Sequence, residues 1–99
     1  MTGLEFANRP PTRTQAEINA AVAAVPMPDG WYRSDDVAMM EGLFMGLKLG
    51  EIGAQIGWPL QQMMARFIQL RNAATGGEIQ FTITAQTRLL HAVRGLANG

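Results

Sequence analysis

The side chains that carry most enzyme chemistry are sparse in this chain and poorly spaced for it. The one histidine, His91, falls in a C-terminal helical stretch between Arg88 and Arg94, with no carboxylate at metal-ligand spacing. There is no cysteine, so no thiolate nucleophile, zinc-thiolate site or disulfide framework exists, as expected of a chain in a reducing cytoplasm. Asp35, Asp36, Glu41 and Glu51 are explained by helix starts and solvent-facing positions, where the helix dipole and hydration favour a carboxylate. The glycines from Gly50 to Gly53 lack the preceding strand and the spacing of a phosphate-binding loop. The seven methionines read as adaptable core filler. The expectation is a protein that is not an enzyme and has no metal, cofactor or small-molecule substrate.

Any function must then come from a surface, and composition limits which surface. The chain has 99 residues, enough for one core and too few for two. Its hydrophobic fraction of 47% with 16% charge is that of a folded protein, since a disordered chain lacks the apolar burial to offset its ordering entropy. The first residues, MTGLEFANRPPTRT, do not read as a signal peptide. The most apolar run, Val37 to Leu49, contains Glu41 and Lys48 and is shorter than the roughly 20 residues that cross a bilayer. Its GxxxG glycines at 42, 46 and 50 are therefore not assigned to a membrane helix. Net charge is zero, so nucleic-acid binding would have to rest on a local patch or on dimerisation, because cations replacing counterions supply the sequence-independent affinity.

Breakers and periodicity divide the chain into an N-terminal arm over 1–13 and a single helical domain over 14–99. Pro10-Pro11 keeps the arm extended. Thr14 and Glu17 form a capping box, and Ile18, Ala21, Val22 and Val25 recur at three and four residues, which predicts a helix from Thr14 to Val25. Pro26-Met27-Pro28-Asp29-Gly30 stops it. Ser34 is the expected N-cap of the next helix, whose buried face is read as Val37, Met40, Leu43, Phe44 and Leu47, closed by Gly46. Leu49, Ile52 and Ile56 make a short helix ending at Gly57, and Met63, Phe67 and Leu70 the stripe of a third over Pro59 to Asn72. After Gly76-Gly77, Ile79, Phe81 and Ile83 alternate with Gln80, Thr82 and Thr84, which predicts a strand over Glu78 to Thr84. Its partner would be Leu4-Glu5-Phe6 or a second copy of itself. Thr84 would then cap a last helix burying Leu89, Leu90, Val93 and Leu96. The fold class is mainly α: a three-helix helix-turn-helix core with an N-terminal helix, one short strand and a C-terminal helix.

The core of that reading is residues 31–71, WYRSDDVAMMEGLFMGLKLGEIGAQIGWPLQQMMARFIQLR. The stretch resembles the Myb/SANT-like and bacterial GcrA-type DNA-binding helix-turn-helix. Trp31, Asp35, Asp36, Gly46, Leu47, Glu51, Ile52, Gly57 and Leu70 stand where that pattern has its Trp, acids, Gly-Leu step, Glu-Ile and turn. Physical reasons agree with the letters. Gly57 can take the positive φ of a tight interhelical turn, Gly53 lets two helices approach closely, and Trp31 would lock the open end with its indole nitrogen needing a partner.

A recognition helix laid in a major groove turns its N-terminal outer residues to the bases. With Met63, Phe67 and Leu70 inward, those residues are Gln61, Gln62, Ala65 and Arg66. Gln pairs with adenine, Arg with guanine, and Ala meets a thymine methyl. Lys48, Arg33 and Arg71 are the expected phosphate contacts. This implies a sequence-specific DNA-binding transcriptional regulator acting on double-stranded DNA, as a dimer given so few cations. The alternative is a protein–protein interaction module on the same scaffold, docking Trp58, Met64 and Ile68 onto RNA polymerase, another regulator or a phage component, because exposed large apolar groups mark protein interfaces.

Overall fold

Each helix begins and ends where local backbone chemistry demands it. The computed structural model describes residues 12–77 and 80–99, and these form five helices: α1 Gln15–Ala24, α2 Arg33–Phe44, α3 Leu49–Ile56, α4 Leu60–Thr75 and α5 Ile83–Asn98. At α1 the expected capping box is formed: the Thr14 hydroxyl accepts from the Glu17 amide at 3.1 Å, and the Glu17 carboxylate accepts from the Thr14 amide at 2.8 Å. α2 starts two residues earlier than an N-cap at Ser34 implied. Its N-cap is Tyr32, whose amide donates to the Asp35 carboxylate at 2.9 Å. The Asp35 carboxylate thus satisfies the N-cap amide, whereas a serine N-cap would have satisfied an amide of the first turn.

Gly57, at φ 87°, ends α3 in the left-handed conformation expected of it, and both its amide and that of Trp58 donate to the Gly53 carbonyl. The chain therefore bends sharply and Leu60 opens α4 three residues after Gly57. α4 runs past the expected Asn72 to Thr75, where Gly76 at φ 67° stops it. The close approach at Gly53 is tight: a Cβ there would lie 2.4 Å from the Trp58 carbonyl oxygen and 2.9 Å from Met63 Cγ.

The strand over 78–84 is not formed in its described part. Gln80 to Thr82 have no regular structure, and Ile83 and Thr84 belong to α5. The Thr82 hydroxyl, not that of Thr84, caps the helix by accepting from the Ala85 amide at 3.1 Å. Phe81 packs edge-on against Phe67 with ring centroids 5.9 Å apart, while Ile83 is 70% exposed. The apolar alternation thus came from one packing residue and one exposed residue at a helix start. Glu78 and Ile79, the suggested partner Leu4-Glu5-Phe6 and the arm up to Pro11 lie outside the described residues.

One core joins all five helices. Ile18 and Val22 of α1, Met39 and Met40 of α2, Ile52 of α3, Met63, Leu70 and Ala74 of α4, and Leu89, Leu90 and Val93 of α5 are buried together with Trp31. α5 packs against α1, α2 and α4. Phe44, expected inside, is exposed, while Met39 of the same helix is fully buried. Arg13 ties the start of the described chain to the far end of α4 by donating to the Ala73 carbonyl at 3.2 Å, and Arg88 of α5 donates to the Arg13 carbonyl.

Candidate interaction face on the fourth helix

Asp36 sits one residue past the carboxylate that caps α2, and the helical turn points it inward. It is fully buried beneath Trp31. Burying a carboxylate costs several kcal/mol unless it is paired and hydrogen-bonded, and Asp36 is both. Its Oδ1 accepts from the Trp31 indole N–H at 2.7 Å and from Arg66 Nε at 2.8 Å, and its Oδ2 accepts from Arg66 Nη2 at 2.9 Å. The guanidinium therefore grips the carboxylate with two parallel bonds, the strongest geometry open to this pair. Its remaining N–H groups reach the Pro26 carbonyl at 3.1 Å, the Gln69 side chain at 3.3 Å and the Met27 sulfur at 3.2 Å. Arg66 Cζ also lies 6.0 Å from the centroid of the Trp31 ring.

This overturns the expectation that Arg66 faces outward. Only 1% of it is exposed, and apart from the Gln69 contact within α4 its polar contacts join α4 to α2 and to the linker before it. The indole partner expected for Trp31 is found in Asp36, a residue that sequence reasoning had assigned to the solvent side of a helix start. A signal was present: Arg66 lies three residues after Met63 and four before Leu70, on the buried stripe as squarely as Phe67.

The other expected contacts divide into three groups. Gln61, Gln62 and Ala65 are exposed on the first turns of α4, and Lys48 is exposed at the start of α3, where its backbone amide donates to Glu51 at 3.0 Å. Arg33 and Arg71 are half-buried; Arg33 Nη1 lies 3.7 Å from Asp36 Oδ2, and the Nε of Arg71 is buried without a hydrogen-bond partner among the described residues. Trp58 is half-buried against Trp31, with centroids 5.2 Å apart, and its indole N–H is 3.4 Å from Asp35. Its aromatic surface is largely committed to the interior.

The outside of α4 is uncharged, an apolar ridge set among amide side chains. Leu60, Met64 and Ile68 are 50%, 47% and 44% exposed, and their spacing of four residues sets them in one ridge along the helix. No exposed residue of α4 carries a charge. Elsewhere, a shallow groove between α2 and α5 is lined by Ser34, Val37, Glu41, Arg94, Ala97 and Asn98. The Arg94–Glu41 ion pair crosses it at 2.6 Å, and no histidine lines it. Among the described residues no three histidines or carboxylates converge to hold a metal ion, and no helix is long and apolar enough to cross a membrane.

Comparison of the chain with protein-family models, curated proteins and solved structures finds no match.

Proposed function

We propose that this chain is a protein-interaction module in which α2, α3 and α4 form a helix-turn-helix scaffold that docks onto protein through the outer face of α4. The observation that carries this reading is the withdrawal of Arg66 into the Asp36 and Trp31 network. With that guanidinium spent inside, the helix that would read DNA offers an apolar ridge flanked by amides. Phosphate affinity scales with the cations that displace counterions, whereas exposed Leu, Met and Ile gain free energy by leaving water. A partner such as RNA polymerase or another regulator would be met through Met64, Ile68 and Leu60, with Trp58 holding the turn behind them.

DNA binding is the second reading, and one observation favours it. Gln61, Gln62 and Ala65 stand exposed on the first turns of a helix that follows a tight glycine turn, the position from which base edges are read. The resemblance of residues 31–71 to Myb/SANT-like and GcrA-type modules supports this alternative. A salt series on random and genomic duplexes separates the two, with Gln62→Ala and Lys48→Ala as probes. Protein docking predicts no duplex shift even at about 50 mM salt, where phosphate contacts are strongest. A shift that weakens steeply with salt and changes sequence preference on Gln62→Ala would replace docking with DNA reading.

A further inference from the structure

The shell of acceptors around the buried Arg66 guanidinium has one soft member. Of its N–H groups, two end on the Asp36 carboxylate, one on the Pro26 carbonyl and one on the Gln69 side chain, all of them oxygen. The last, on Nη2, ends on the Met27 sulfur at 3.2 Å. A thioether is a weak acceptor, and it is the only one of these partners that mild chemistry can change. Oxidation to the sulfoxide gives methionine an exposed polar oxygen and is reversible by dedicated reductases.

The other described methionines offer an oxidant either no access or no consequence. Met39, Met40 and Met63 are sealed in the core, where a new polar oxygen would be buried without a partner. Met45 and Met64 face solvent, where it would meet water. Met27 stands between these cases: it is half-buried in the linker between α1 and α2, packed against the core, with a guanidinium N–H already aimed at its sulfur.

We propose that Met27 is a reversible oxidation site coupled to the buried Asp36–Arg66 pair, in which the sulfoxide oxygen replaces sulfur as the acceptor on Arg66 Nη2. The oxidant is a peroxide. The sulfur gives an electron pair to one peroxide oxygen, the S–O bond forms as the O–O bond breaks, and the second oxygen leaves as water with the protons of the peroxide; sulfur is oxidised by two electrons and the peroxide reduced. At 3.2 Å from Nη2 the sulfur leaves no room for an atom between them, so it must withdraw until the oxygen stands about 2.9 Å from the nitrogen. The unbranched side chain permits this, and the exposed Asp29 and Gly30 let the linker follow. Arg66 keeps both bonds to Asp36, so the helices stay in place. What moves is the linker leading into Trp31, whose ring lies 6.0 Å from Arg66 Cζ and whose indole N–H shares Asp36 with it.

The test is hydrogen peroxide titration of the full chain carrying Met45→Leu and Met64→Leu, with conversion at each methionine read by peptide mass spectrometry. Met27 should gain one oxygen several-fold faster than Met39, Met40 and Met63. In step with that conversion, the side-chain Nε–H resonance of Arg66 and the tryptophan emission should shift while that of Arg94 on α5 and the helical circular dichroism stay unchanged. A methionine sulfoxide reductase should restore the starting spectra, and Met27→Leu in the same background should abolish both shifts. A Met27 as resistant as Met39 overturns the proposal, as does a converted Met27 that leaves the Arg66 resonance in place. Loss of helical signal in step with Met27 conversion overturns it too, because the oxygen would then have found no donor.

Discussion

Replacing Arg66 by alanine should cost this protein much of its stability, and the size follows from what is left behind. In the parent, Asp36 accepts three hydrogen bonds, two from Arg66 and one from Trp31, while fully buried. Arg66→Ala leaves the carboxylate with the indole donor and with Arg33 Nη1 at 3.7 Å, beyond hydrogen-bond range. Orphaning one member of a buried ion pair costs about 3–5 kcal/mol, against a total of about 5–15 kcal/mol for a domain. With a urea dependence of about 1–3 kcal/mol per molar, the unfolding midpoint should fall by roughly 2 M. The double variant Arg66→Met with Asp36→Leu removes both charges of the buried pair and leaves the buried Trp31 N–H unsatisfied, at about 1–3 kcal/mol, while the Pro26 carbonyl and Gln69 side chain that lose Arg66 belong to exposed residues and Arg33 loses its 3.7 Å neighbour. It should therefore be more stable than Arg66→Ala alone. Urea melts read by far-UV circular dichroism, with tryptophan fluorescence in parallel, measure both. A loss below about 1 kcal/mol for Arg66→Ala, typical of a surface site, would show the guanidinium in solvent and return it to the outer face of α4.

Other perturbations check the rest of the framework. Gly53→Ala drives a Cβ to 2.4 Å from a backbone carbonyl oxygen and should destabilise by about 1–3 kcal/mol; Gly50→Ala, with its nearest contact at 3.8 Å, should be neutral or slightly stabilising in the same thermal melt. Thr82→Ala removes the cap of α5 and should cost about 1 kcal/mol in chemical denaturation, while Thr84→Ala, on an exposed turn, should cost little. The Glu17 carboxyl is held below its ordinary value, first by the Thr14 backbone amide and then by the Thr14 hydroxyl. Its contribution is thus complete above the ordinary glutamate value and is lost as pH falls through the lowered one. The melting-temperature gap between the parent and Glu17→Gln should accordingly close on acidification; a gap that widens contradicts this linkage.

The helices were legible because their punctuation is chemically strong. Thr14 with Glu17, Gly57 and Gly76 each act through the local backbone, so their effect can be read without knowing the rest of the chain. The strand was misread for the complementary reason. Alternation over Phe81 and Ile83 looks the same whether a neighbour strand or the Phe67 ring receives it, and only tertiary packing decides. Arg66 was misplaced by a prior about residue type: a charged side chain on a stripe was moved to the outer face. Its partner, thirty residues earlier in α2, was assigned to a helix start. Neither half of a buried pair announces itself alone, and the spacing of Met63, Arg66 and Leu70 was the clue.

The position of α5 has a consequence for how the molecule is made. It is the helix that packs on α1, α2 and α4, yet the ribosome delivers it after all of them. Until Leu89, Leu90 and Val93 emerge, the core that they share with Ile18, Val22, Met39 and Met40 lacks one wall. The nascent chain must therefore carry an unfinished hydrophobic core from the emergence of α4 until α5 follows and seals it.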